Sequence, residues 1–164
     1  KFGWIKVVKA GKHHGLIKNL GPDINSNDVD FTTFKKRMTI ESKSKIKQVL
    51  LDQSVFAGLG NIYVDETLFL AGVHPESIID KISEAKLSLI FKYANQVLAE
   101  SIEMGGSSSR NYVDSNGGKG NYLDIARVYG RKDDYCEKCG GLITKIKVAG
   151  RGTHICLSCQ RLYK

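Results

Sequence analysis

The chain has 164 residues, 41% of them hydrophobic and 26% charged, enough for one ordinary domain or two small ones and unlike a disordered tract. Lys plus Arg is 25 against 17 Asp plus Glu, a net charge of +8. That balance favours an anionic partner, nucleic acid first and an anionic membrane surface second, with solvated lysines as the bland alternative. No apolar run approaches the roughly 18 residues of a membrane span, and no signal-peptide core is visible, so no membrane partner is expected.

In chain order, residues 1–20 alternate loosely (Trp4-Ile5-Lys6-Val7-Val8) and predict one or two strands. Gly21-Pro22-Asp23 and the polar run Asn25 to Asp28 read as a linker. A short helix is expected over Phe31–Met38 with Thr32 or Thr33 as cap, and a second over Ser44–Leu51 with Ile46, Val49 and Leu50 on one face. Gly58-Leu59-Gly60-Asn61 then opens a third helix, which stops at Gly72 ahead of Pro75. The longest helix runs from Ser83 to Met104, with Leu87, Ile90, Phe91, Ala94, Val97 and Leu98 as a core-facing stripe. Residues 107–127, rich in Gly and Ser, predict a long flexible loop, and 128–164 hold short β-prone runs.

All four cysteines lie in those last residues. Cys136-x2-Cys139 and Cys156-x2-Cys159 are separated by 16 residues. Each pair presents two sulfurs on one side of a tetrahedron, and a returning hairpin joins them, so the spacing predicts one structural Zn2+ with no open coordination position. His154, two residues before Cys156, is an alternative ligand but reads better as a strand residue. A piece this small has too little core to fold without the metal. Gly150-Arg151-Gly152 falls at the expected hairpin tip, where Arg151 either enters a groove or is a solvated turn residue.

Gly58-Leu59-Gly60-Asn61 lacks the third glycine and the preceding strand of a dinucleotide fingerprint. A helix start does present free amides and partial positive charge to an anion. Asn61 there is either a phosphate ligand or an N-cap, and Lys45 and Lys47 on the preceding helix are candidates to flank the same phosphate.

Taken together, the motifs Ile46 to Gln53, Ala57 to Glu66, Ala71 to Pro75, Gly105-Gly106-Ser107, Val128 to Arg131 and Gly150 to Cys156 resemble the formamidopyrimidine-DNA glycosylase and endonuclease VIII family. The last of them is closer to the formamidopyrimidine branch. The resemblance implies a mainly α fold with a small β zinc ribbon, a helix-two-turn-helix domain followed by a four-cysteine hairpin. The expected units are 1–30 as the end of an N-terminal domain plus linker, 31–106 as the helical DNA-binding domain, 107–127 as a lesion-capping loop and 128–164 as the zinc ribbon.

By the same resemblance, Asn61, Arg151, Lys47, Gly60 and Tyr129 contact DNA. Ser107, Arg110 and Tyr112 lie on the loop that closes over a flipped base, and Phe2 fills the void it leaves. Family members begin with a proline whose amine attacks the sugar, followed by a glutamate. This chain begins Lys1-Phe2-Gly3, so no catalytic residue is assigned, and it is expected to bind DNA without excising bases. The implied partner is double-stranded DNA carrying a lesion or an abasic site, with oxidised purines such as 8-oxoguanine and formamidopyrimidine as the family's lesions. A monomer acting in the bacterial cytoplasm, at the nucleoid, is expected. The alternative is a stand-alone nucleic-acid-binding zinc-ribbon module.

Overall fold

Phe34 and Met38 stand one helical turn apart and are fully buried, which orients the first helix, α1 (Phe31–Ile40). The structure is a computed structural model that describes residues 7–10, 19–107 and 120–164. The side chain of Asp30, not Thr32 or Thr33, caps α1 by accepting from the Thr33 amide at 2.7 Å. The carboxylate also suits the positive end of the helix. Ring contacts of Phe34 with Phe56 and with Phe91, both at 5.2 Å between centroids, join α1 to the turns and to the longest helix.

α2 (Ile46–Leu50) starts two residues later than the pattern suggested, because Lys45 is extended and bridges Ile78. The chain then turns twice. Val55 donates to the Asp52 carbonyl at 3.0 Å, and Gly58 takes φ +97°, a conformation that glycine adopts without strain. The second half of the motif, α3 (Asn61–Ala71), follows and ends at Gly72 with φ 68°. α4 (Glu84–Glu103) is capped by the Ser83 hydroxyl and turns Leu87, Ile90, Ala94, Val97, Leu98 and Ser101 inward, largely the stripe read from the sequence. At 20 residues it is about 30 Å long. No helix among the described residues is long and apolar enough to cross a membrane.

The ribbon is an antiparallel pair, β1 (Ile143–Val148) and β2 (Arg151–Cys156), in register from Ile143 opposite Cys156 to Val148 opposite Arg151. Its tip is Ala149-Gly150, both at positive φ (50° and 73°) as a tight two-residue hairpin requires. Arg151 is therefore the first residue of β2 rather than the tip itself. Behind it, Ile143, Cys136, Cys156 and Val128 form a small core that Phe69 of α3 completes.

Two expected boundaries move. Residues 21–30 are no loose linker. Ile24 is fully buried, the Ala57 amide donates to Pro22 and the Ile24 amide to Ala57, so the segment straps the two turns. The far end of the presumed flexible loop is also fixed. Tyr122 is fully buried in a short 3-10 turn, Tyr122–Ile125, and packs edge-on against Tyr63. The strands expected over 1–20 fall mostly outside the described residues, and the described parts of that stretch contain no strand.

α3 is the shaft of the molecule. Seven of its eleven residues are buried, and it touches α2, α4 and β2. Two of the buried residues are acids. Asp65 takes the ammonium of Lys47 on α2 and the His154 amide of β2 (2.9 Å), while Lys47 also donates to Thr153 at 2.8 Å. Glu66 accepts three consecutive amides, those of Arg127, Val128 and Tyr129, each at 2.8 Å. Arg127 in turn makes a two-pronged pair with Glu100 of α4, at 2.9 and 3.0 Å.

Lys47→Met would leave the Asp65 carboxylate buried without its cation and is expected to cost about 3–5 kcal/mol in urea denaturation. Adding Asp65→Asn, which still accepts from His154 but carries no charge, is expected to recover part of that loss. A double variant as unstable as the single one would remove the ion pair as the reason.

Candidate nucleic-acid interface and zinc site

Metal-binding cysteines must converge before they can do anything, and these do. The four sulfurs lie within 4.8 Å of one another, with Cys136 and Cys159 at 3.8 Å and Cys139 and Cys156 at 3.4 Å. Zinc–sulfur bonds of about 2.3 Å in a tetrahedron put the sulfurs about 3.8 Å apart, so the donor set fits one Zn2+. His154 is not among them. It is a strand residue whose ring meets the Tyr129 ring edge-on at 4.9 Å. With four thiolates the site is closed and structural. It pins the end of the hairpin opposite the tip, and Gln160 ties that end to the helical domain by accepting from the Cys156 amide at 3.0 Å and donating to the Val73 carbonyl at 3.0 Å.

The pinned hairpin reaches back to the start of α3. Asn61 donates its side-chain amide to the Gly152 carbonyl at 3.0 Å, across 91 positions of sequence. Asn61 is therefore not the N-cap. Gly60 is, with no side-chain cap, and Asn61 is the first helical residue. The first internal bond of α3 comes from Val64 to Gly60. Among the described residues, nothing accepts from the amides of Gly60, Asn61, Ile62 and Tyr63. The side-chain oxygen of Asn61, Oδ1, is likewise buried without a partner.

Gly60 adds a negative observation of its own. Its φ of −100° suits any residue, and a Cβ there would meet nothing within 4 Å. The fold does not call for a glycine at this point, whereas close approach of a ligand to the helix start does. Arg151 is exposed and close enough to Lys47 to act on its charge. Burial pushes the Lys47 pKa below the usual lysine value, Asp65 opposes that, and Arg151 adds to it. An exposed arginine, a side-chain amide and unused helix amides thus all lie within two residues of the Asn61–Gly152 contact, a suitable seat for a phosphate.

Other expectations fare differently. Lys47 does not present itself at the surface: it is fully buried and acts on this seat through Asp65 and Thr153. Lys45 pairs with Glu76, away from the α3 start. The Tyr129 backbone is held by Glu66 and its ring by His154. Ser107 sits at the near end of the loop, its hydroxyl 3.2 Å from the Tyr63 hydroxyl and its backbone bridged to Asn121. Phe2, Arg110 and Tyr112 lie outside the described residues. Asp65 and Glu66 were missed, although two adjacent acids inside an otherwise apolar helix are a readable sign of buried carboxylates.

Stripping the metal with a chelator, or Cys136→Ser, is expected to abolish amide-exchange protection across β1 and β2. It should also lower the thermal midpoint of the helices, because Asp65 and Glu66 lose the amides of His154, Val128 and Tyr129 as fixed partners. A ribbon amide spectrum unchanged after complete metal loss would contradict this.

Residues 20–113 match the formamidopyrimidine-DNA glycosylase H2TH domain, and residues 133–162 the zinc finger found in FPG and IleRS. The formamidopyrimidine-DNA glycosylase of Lactobacillus acidophilus is 41% identical over 170 residues, covering 100% of this chain and 60% of its own length. That of Bacillus licheniformis is 42% identical over 163 residues, covering 98% and 59%. The chain thus spans about three fifths of the curated relatives it matches. Among solved structures, a complex of a Lactococcus lactis FPG mutant with Fapy-dG containing DNA is similar with TM-score 0.81 and 42% identity, over 89% of this chain and 53% of that one. The complex of Lactococcus lactis Fpg with abasic-site DNA gives 0.80 and 41%, with the same coverage. By its helix-two-turn-helix domain, its zinc finger and its sequence, the chain belongs to the formamidopyrimidine-DNA glycosylase family.

Proposed function

We propose that this chain grips the backbone of double-stranded DNA at a lesion or abasic site, as the DNA-binding part of a glycosylase/AP lyase for oxidised purines such as 8-oxoguanine and formamidopyrimidine. The observation that carries the reading is the 3.0 Å bond from Asn61 to Gly152, which brings the open start of α3 and the exposed Arg151 to one place. The net charge of +8 supports an anionic partner, and similar chains are seen bound to lesion and abasic-site DNA. The contacts are backbone contacts: they position the duplex without reading sequence. A monomer suffices, because both halves of the grip come from one chain.

We also propose that these 164 residues on their own excise no base. The family's chemistry, by resemblance, uses a proline amine. Both prolines here, Pro22 and Pro75, are inside the chain and offer no free amine. An ordinary lysine, with a pKa near 10.4, is almost wholly protonated at neutral pH and a poor nucleophile.

The test pairs binding with base release. Log affinity should fall linearly against log salt, and Arg151→Ala should reduce the slope by about 0.9, the share of one neutralised phosphate. Asn61→Ala should weaken binding to all sequences alike. If Arg151→Ala left low-salt affinity unchanged, Arg151 would be an ordinary solvated turn residue. A duplex holding one oxidised guanine should release no base, scored apart from strand nicking at a preformed abasic site. Specific base release would overturn the second proposal and direct attention to Lys47, whose pKa is lowered by burial. Tighter binding to RNA than to DNA would instead favour a stand-alone nucleic-acid module.

A further inference from the structure

The turn that leads into α3 is braced by one side chain. Gln53 lies in the first of the two turns and is exposed. Its carbonyl oxygen accepts from the Gly58 amide at 3.3 Å, and its amide donates to the carbonyls of Leu59 at 2.8 Å and Leu51 at 3.3 Å. Only this orientation of the side-chain amide satisfies one donor and two acceptors. Its own backbone is fixed too, since the Gln53 carbonyl accepts from Gly21 at 2.8 Å. Gly21 must be a glycine for that approach, because a Cβ would lie 2.4 Å from the Val55 carbonyl oxygen.

The bond to Leu59 has a geometric consequence. The Leu59–Gly60 peptide is planar and trans, so its N–H points opposite to its C=O. Holding the Leu59 carbonyl towards Gln53 therefore aims the Gly60 amide the other way. Among the described residues nothing accepts from that amide, and a Cβ on Gly60 would meet nothing within 4 Å, so it is open to a ligand. We infer that Gln53 is a positioning residue for phosphate binding: without touching the ligand, its side-chain amide sets the peptide plane that turns the Gly60 amide and the α3 start outward. The inference rests on the phosphate reading proposed above.

The experiment compares the chain with Gln53→Ala and Gln53→Met, the latter keeping the length of the side chain without its amide. Affinity is measured on a duplex carrying a stable abasic-site analogue across a salt series, beside zinc content and thermal midpoint. Both variants are expected to bind about tenfold more weakly, as loss of one well-placed hydrogen-bonded brace implies. The salt slope should stay unchanged, because no phosphate-neutralising cation is removed. Zinc content and thermal midpoint should stay close to those of the parent, because the side chain is exposed. Unchanged affinity in both variants would overturn the inference, as would a reduced salt slope or a loss of affinity accompanied by unfolding at the assay temperature. Asn61→Ala in the same series separates the two levels. If it leaves affinity intact, the phosphate reading falls and this inference with it. If it weakens binding while both Gln53 variants bind normally, only the inference falls.

Discussion

Two adjacent carboxylates buried in the middle of α3 constrain everything around them. Removing a carboxylate from water costs several kcal/mol even after relaxation, so Asp65 and Glu66 persist inside only if their oxygens are met by donors. Asp65 draws on Lys47 and on the His154 amide. Glu66 draws on three successive amides at residues 127–129. Each acid thus binds α3 to something distant in sequence, one to the second strand of the ribbon and the other to the segment that enters it. The buried charges belong to the helical domain, and the ribbon side supplies the amides and the Thr153 hydroxyl that complete their hydrogen bonding.

This arrangement explains why a small zinc hairpin can act as a precise arm. A two-stranded hairpin is marginal by itself, and its own core here is only a few residues with Phe69 as a lid. The metal fixes one end and Gln160 ties that end to Val73. Asp65 fixes the middle through His154, and Lys47 does so through Thr153. What remains free is the other end, where Ala149-Gly150 turns and Arg151 projects. Asn61 then joins that end to the start of α3. The rigidity is placed where it aligns the two halves of the candidate grip.

The same logic governs the loop beside it. Residues 107 and 120–122 are brought together, with Ser107 bridged to Asn121. Asn121 donates to Met104 at 2.9 Å and Tyr122 to Gly106 at 3.1 Å. Gly120 lies so close to the Gly106 carbonyl that a Cβ would sit 2.2 Å from its oxygen. Tyr63, two residues from Asn61, meets both ends, through the Ser107 hydroxyl and the Tyr122 ring. The base of the loop is therefore built on the same helix turn as the candidate phosphate seat.

Features that depend on local chemistry were legible in the sequence. The Cys-x2-Cys pairs declare a metal because coordination geometry dictates their spacing. The stripe of α4 declares a buried face because helical period is a local property, and Gly58, Gly72 and Pro75 mark the breaks for reasons internal to the backbone. The identity of the fold was legible too, through several motifs in order. What tertiary structure alone decided is where charged groups end up. Lys47, between Ile46 and Gln48, reads as a surface cation, yet it is buried because Asp65, 18 positions away, needs a partner. Residues 21–30 read as linker because they are polar and contain proline, yet backbone bonds to the turns at 53–57 fasten the segment and Ile24 and Val29 enter the core. The exact tip of the hairpin, and the meeting of Asn61 with Gly152, follow from the register of β1 on β2 and from its docking on α3. Those are pairings across long sequence separations, chosen by which buried donors and acceptors can satisfy one another, and no local pattern encodes that choice.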